Sequence, residues 1–482
     1  MATQHAAVDL GASNGRVMIG LVADDAVTLT EIHRFPNGGI PVGDHLYTDT
    51  LGLYAGVVEG LRRANRVGKV CSVGVDSWGV DYGRIDVEGQ LLGSPRHYRD
   101  ERTIAQQEKL RAQFTDDELY RMTGIQPGAA YNTIYQLMDD MTSVQWPLVD
   151  QVLFTPDLVG FLLSGARGAE ATIASTSQLL DAATRQWSPE MARAARIPLE
   201  IFAELQEPGT RRGRLRPGLI EGSEIELVAV GGHDTASAVA ATPAVDEHFA
   251  FISCGTWSVV GAELLEPIKS SEALAAGYTN ELGIDGTVRF NRNLTGLWLL
   301  QECQRAWQEA GEDANLFDLL DAAARSKELV SVVDAGSEVF LARGDMPSLI
   351  AEECRRTGQP VPQDKGAMVR CVLDSLALAH ARTIRAIQEL GGPEVHAVHI
   401  VGGGCQNELL CQLTADACQL PVVAGPVEAA ALGNIIVQAR AMGELDGDRA
   451  ALRKVIANSG GVIRYEPHGS ARPWDEAASR IF

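Results

Sequence analysis

Apolar residues along this chain follow two periods that alternate from end to end. Short apolar runs, such as Ala6-Ala7-Val8, Val70 to Val75, Phe251-Ile252 and Val395 to Val401, read as buried strands. Between such runs the spacing changes to three and four. Val369, Val372, Leu373, Leu376, Ala379, Ile384, Ile387 and Leu390 predict an amphipathic helix stopped by Gly391-Gly392-Pro393. Strands that alternate with helices define an α/β protein.

Glycine marks the joints between these periods. The strand from Val70 runs through Asp76 towards Ser77-Trp78-Gly79-Val80-Asp81, and Val87-Glu88-Gly89-Gln90 predicts a hairpin turn. Tyr98 to Asp117 reads as loop and exposed helix. A strand at Glu226 to Val230 leads through Gly231-Gly232 into small residues that start a helix, and Thr242 to Glu247 has the composition of a linker. Later come Gly402-Gly403-Gly404, a helix from about Gln406 to Cys418, a strand at Pro421 to Ala424 and a last helix after Pro426. Strand, glycine turn, helix and strand in that order leave a ligand site at the strand ends.

Two segments repeat one chemical pattern. Ala7-Val8-Asp9-Leu10-Gly11-Ala12-Ser13-Asn14-Gly15-Arg16 and Phe251-Ile252-Ser253-Cys254-Gly255-Thr256-Trp257-Ser258 each break a strand at glycine, continue with small hydroxylated residues and return to apolar ones. Such a hairpin turns backbone N–H groups and a hydroxyl towards one spot, which suits an anion such as phosphate. Two of them suggest two half-molecules, with domains at 1–245 and 246–482.

The length, 482 residues, exceeds one ordinary core. Lys and Arg number 41 and Asp and Glu 63, a formal charge of −22 that argues against nucleic acid or an anionic membrane as partner. A phosphate site here must use backbone amides, a metal ion and few cations. No basic leader or membrane-length apolar run occurs, so a soluble, cytoplasmic protein is expected. The eight cysteines form no CxxC pair. Cys411 and Cys418 share one helix face, and Cys354 and Cys371 are close enough in pattern to approach each other.

Phosphoryl transfer needs a phosphate cradle, a metal partner, an acceptor hydroxyl and a group to take its proton. Asp9 can hold the Mg²⁺ of a nucleotide, or cap its turn. Asp234, between strand and helix, can act as base or as helix cap. For His233 the backbone is expected to matter more than the ring. There is no GxxxxGK[ST] and no GxGxxG, and His97-Tyr98-Arg99-Asp100 lacks the other parts of a protein-kinase site.

Taken in order, several segments resemble the FGGY carbohydrate kinases of the actin-like ATPase superfamily. They are Val8 to Ser13 with Gly15-Arg16, Asp76 with Trp78 to Asp81, Tyr98-Arg99-Asp100, Asn132-Thr133 with Tyr135-Gln136-Leu137, and His233 to Val239. Further on are Ser253 with Gly255 to Ser258, Gly296 to Gln301, His399 to Asn407, and Ala424 to Ala429. The resemblance covers almost the whole chain and implies two actin-like (ribonuclease H-like) ATPase domains with a cleft between them. It implies ATP and Mg²⁺ as cofactors, with Ala12, Ser13, Asn14, Gly15, Arg16, Thr256, Gln301 and Gly403 on the nucleotide. It assigns a ketose to Gly79, His233, Asp234, Thr235 and Asn293, and the proton acceptor to Asp234. For Gly79, Asn293 and Gln301 the role rests on the resemblance alone. Many family members carry Lys in the segment where this chain has Tyr135-Gln136-Leu137, and Gln there speaks against xylulose or glycerol; the resemblance as a whole implies L-rhamnulose, phosphorylated at its C1 hydroxyl. The alternatives are another ketose such as L-fuculose, or a non-catalytic actin-like ATPase or sugar sensor. A monomer or homodimer is expected.

Overall fold

Strand β1 (Thr3–Leu10) turns back at Gly11 into β2 (Asn14–Ala23), which pairs in turn with β3 (Ala26–Pro36). Helix α1 (Thr50–Val67) then carries the chain to β4 (Val70–Ser77), parallel to β1. With β5 (Arg211–Arg214) and β6 (Glu226–Val228) they complete a six-stranded sheet in the order β5-β6-β4-β1-β2-β3. α1 covers one face because its apolar positions recur every three or four residues. Leu53, Val57, Leu61 and Ala64 meet Val8, Val17, Ile19 and Val73 in one buried cluster. The short helix α2 (Asp234–Ala240) follows β6 after the glycine pair.

This is a computed structural model that describes residues 3–222, 224–341 and 344–482. They form two compact units. The first takes the chain up to Val245 together with Glu263–Phe290 and Ala429–Gly460, and the second takes Asp246–Ala262, Asn291–Glu428 and Gly461–Phe482.

The second unit repeats the first one's strand plan. β7 (Phe249–Cys254) pairs antiparallel with β8 (Trp257–Leu264) and parallel with a later strand, after helices α3 (Trp298–Glu309) and α4 (Lys365–Glu389). That later strand, β9 (Ala397–Val401), is followed by α5 (Glu408–Cys418) and by β10 (Val422–Ala424), which lies parallel to it. β7 is thus to β8 and β9 what β1 is to β2 and β4.

α4 differs from its expected amphipathic form. Its predicted stripe is buried from Val369 to Ile387, with Leu390 half-buried at the C-cap, but so is every residue from Met368 to Ala381, because helices pack on several sides. The polar groups within that stretch pair internally: Arg370 Nε donates to Asp374 at 2.9 Å, and His380 contacts Thr414 at 3.2 Å and Ser258 at 3.3 Å. Burial lowers the His380 pKa to about 4, so the ring is a neutral core residue. Cys411 is fully buried and Cys418 partly, and Cys354 and Cys371 are free thiols within hydrogen-bonding reach of each other. Beyond α6 (Ala429–Ala441), which belongs to the first unit, the chain adds helices at Arg449–Asn458 and Arg472–Ala478 that the hydrophobic pattern does not announce. Among the described residues no helix is long and apolar enough to cross a membrane.

Candidate functional site

The β1–β2 turn is built by its own residues. Gly11 N–H donates to Asn14 O at 2.9 Å, Asn37 Nδ2 donates to Gly11 O at 2.6 Å, and Asn37 N–H donates to Ser13 O at 3.2 Å. The glycine amide is therefore spent on closing the turn. Donors for an anion must come from the later residues, of which Ala12 and Ser13 are exposed, Asn14 and Arg16 half-buried and Gly15 buried. Register places Arg16 on one side of Asp9 and Asp76 on the other. Arg16 forms an ion pair with Asp9, so its charge serves that carboxylate first.

Asp76 sits at the end of β4 with no exposed surface. Its Oδ2 accepts from Asn434 Nδ2 at 2.6 Å, while Oδ1 has no hydrogen-bond partner among the described residues. Burial, and then the neighbouring Asp9 charge, push its pKa well up. An orphaned carboxylate oxygen beside a second carboxylate is the environment a divalent cation satisfies. Among the described residues no three carboxylate, thiol or imidazole groups gather around one point, so such an ion would draw its remaining ligands from water and phosphate oxygens, as Mg²⁺ does. The donor set fits.

β4 continues into Asp234 by pairing. Ser77 N–H donates to Gly232 O at 2.9 Å, and Glu170 accepts the Gly232 amide at 2.9 Å, so the turn before α2 is fixed from both sides. Burial raises the Glu170 pKa to about 7. His233 occupies the N-cap of α2 and Asp234 is its first helical residue, which removes the capping alternative for Asp234. The Asp234 carboxyl is about a third exposed (32%) and accepts from Thr235 Oγ1 at 3.2 Å. Burial is the main cause that raises its pKa, the His233 ring opposes it, and the Asp9 charge adds to it.

The His233 ring is more engaged than expected. Nε2 lies 3.5 Å from Asp234, while Nδ1 lies 3.0 Å from Glu281 and 3.1 Å from the buried Arg289 guanidinium. Arg289 and His233 hold the Glu281 pKa down to about 2, against its burial. Neither Glu281 nor Arg289 was singled out from the sequence: they flank the Gly283–Thr287 turn, and what makes them matter is a ring 48 or more positions earlier in the chain.

Gly79, half-buried, lies in a tense loop. The next residue, Val80, has φ 68°, a left-handed conformation that a β-branched side chain seldom adopts. Thr176 Oγ1 accepts its N–H at 3.0 Å, and Thr133 Oγ1 donates to its carbonyl at 2.7 Å. Asp81 accepts from Trp78 Nε1 at 2.9 Å, Gln136 Nε2 at 3.2 Å and Tyr98 N–H at 3.2 Å. Gln136 is thus buried and occupied in shaping this loop. Asp100 accepts the amides of Leu46 and Arg102, a structural task.

In the second unit, Gly255 N–H closes its turn on Trp257 O at 2.8 Å. The Gly255 and Thr256 carbonyls accept from Leu297, Gly296 and Trp298 N–H groups at 3.0–3.1 Å, which fastens the start of α3, and with it the exposed Gln301, to the half-buried Thr256. The glycine loop packs beside them: a Cβ at Gly404 would lie 2.2 Å from Cys254 Sγ, whereas Gly403 faces open space. The Gly255–Thr256 turn, the start of α3 and the Gly404 loop thus pack together at the end of β7. Asn293 belongs to the same unit and is exposed, whereas Gly79, His233, Asp234 and Thr235 belong to the first.

Residues 61–241 match the N-terminal domain and 250–442 the C-terminal domain of the FGGY family of carbohydrate kinases. The chain is 39% identical over 477 residues to a rhamnulokinase from Bacteroides thetaiotaomicron, covering 98% of this chain and 97% of that one. It is 35% identical to a rhamnulokinase from Bacillus subtilis, with 96% and 95% covered. A ligand-bound xylulose kinase from Lactobacillus acidophilus shares the fold, with TM-score 0.82 at 15% identity over 99% of this chain and 96% of that one.

Proposed function

This chain belongs to the FGGY family of carbohydrate kinases, and we propose that it transfers the γ-phosphoryl group of ATP to the C1 hydroxyl of L-rhamnulose, giving L-rhamnulose 1-phosphate and ADP. The substrate is argued from near full-length relatives named rhamnulokinase. The chemistry rests on one observation: Asp234 stands at the start of α2 with its carboxyl free of capping, in the field of Asp9 and Asp76.

Asp234 accepts the C1 hydroxyl proton as that oxygen attacks the γ-phosphorus and the bond to ADP breaks. Its raised pKa makes it a stronger base than an ordinary aspartate. His233, steadied by Glu281 and Arg289, presents Nε2 beside that carboxyl and orients the ketose with Gly79, Thr235 and Asn293. Ala12 to Arg16, Thr256, Gln301 and Gly403 serve the nucleotide. Asp9, with Asp76 beside it, would hold the Mg²⁺ of the nucleotide, which when bound would supply neutralisation of the charge developing on the phosphate oxygens. Phosphorus NMR of the product formed from ATP and L-rhamnulose tests the assignment. A phosphate ester coupled to the C1 protons is expected, and an ester at another carbon, or none, would overturn it.

A further inference from the structure

A file of buried polar side chains crosses the core of the first unit from α6 to the end of β4. His5 Nδ1 meets Ser72 Oγ at 2.7 Å, Ser72 Oγ donates to Gln438 Oε1 at 2.6 Å, and Gln438 Nε2 meets Asn434 Oδ1 at 2.6 Å. Asn434 Nδ2 then donates to Asp76 Oδ2 at 2.6 Å. All five side chains belong to residues with 0% exposure.

The direction of the bonds is fixed by the Ala6 carbonyl, which cannot donate and takes its proton from Gln438 Nε2, 2.9 Å away. Gln438 Nε2 therefore also donates to Asn434 Oδ1, which turns the Asn434 amide nitrogen towards Asp76. The Gln438 oxygen then faces Ser72, whose hydroxyl donates to it and accepts from His5. All donors point one way, towards Asp76. At the far end His5 Nε2 lies 3.0 Å from Glu444.

Stability alone does not call for such a file, because replacing both partners of a buried hydrogen bond by apolar groups of the same shape can be nearly neutral. The backbone nevertheless makes room for it. A Cβ on Gly74 would lie 2.5 Å from Asn434 Oδ1 and 3.0 Å from Gln438 Nε2. The file ends on a carboxylate whose other oxygen is unpartnered and whose neighbour is Asp9.

We propose that Asn434 is a positioning residue of the phosphoryl-transfer centre. It acts through Asp76, holding Oδ2 so that Oδ1 is left for a ligand beside Asp9, and Gln438, Ser72 and His5 hold Asn434 in turn. The inference rests on the kinase assignment of the site and adds to it a set of supporting residues on α6.

Asn434→Leu, which keeps the branched outline of the side chain, and Gln438→Met, which keeps its reach, test it through three readouts: thermal midpoint, kcat and KM with ATP and L-rhamnulose, and Mn²⁺ affinity in the presence of ADP by electron paramagnetic resonance. Loss of a group that orients a ligand-bearing side chain costs about 10–100-fold in metal affinity or activity. Asn434→Leu is expected to weaken Mn²⁺ binding and lower kcat within that range, with the sugar KM little changed, and Gln438→Met to do the same to a lesser degree. Mn²⁺ affinity and kcat within twofold of the parent in the folded variants, whatever the thermal midpoint, would overturn the inference. If Asn434→Leu does not fold, the Gln438→Met result decides alone. Failure of the kinase assignment shows separately, as a parent protein without sugar-dependent turnover, and the Mn²⁺ readout still decides the role of Asn434.

Discussion

At the scale of single residues, Asp234 carries the chemistry and should fail selectively when changed. Asp234→Asn keeps shape and removes the base, so kcat is expected to fall by about 10² or more, the usual worth of a general base. ADP binding by calorimetry should stay at the parental level, and near-normal turnover would refute the role. Asp81 offers a test of pH dependence. Burial raises its pKa from 3.8 to about 6, so the folded protein holds this proton more tightly than the unfolded chain. Its stabilising contribution is full below pH 4 and declines as pH rises to 6, by about 3 kcal/mol over two units. In chemical denaturation across that window, Asp81→Asn should remove this downward component, and a parent and variant with the same slope would contradict it. Asp9 and Asp234 were legible in the sequence because each sits beside a glycine turn. Asp76 was visible only as part of a motif, and Glu281, Arg289 and Asn434 carry no local signal, since their roles come from residues distant in the chain.

Among the elements, α6 depends on close approach. A Cβ on Gly433 would stand 1.8 Å from Ser237 O of α2, so these two helices touch through backbone. Gly433→Ala must push them apart, and overpacking of this kind costs about 1–3 kcal/mol. Thermal unfolding should show the loss, and an unchanged midpoint would contradict the packing described. The two glycine hairpins were readable from sequence as strand, turn and strand. Their amides were not: Gly11 and Gly255 each spend the N–H on their own turn, which only the folded geometry reveals. α4 was found from its spacing, yet its all-round burial depends on partners such as α5 that periodicity within one helix does not encode.

The whole molecule repeats one plan, an antiparallel hairpin followed by two parallel strands, in both units. The repeat of the Gly11 and Gly255 segments made that duplication legible. The membership of Glu263–Phe290 and Ala429–Gly460 in the first unit was not, because composition does not mark where a chain returns to pack on an earlier unit. The consequence is functional: α6, late in the chain, supplies the Asn434 that holds Asp76. ADP production from ATP and Mg²⁺, measured over a panel of ketoses that includes L-rhamnulose and L-fuculose, tests the central claim most directly. Strong stimulation by L-rhamnulose above every other sugar is predicted. Stimulation by none of them, or by another ketose in preference, would contradict it.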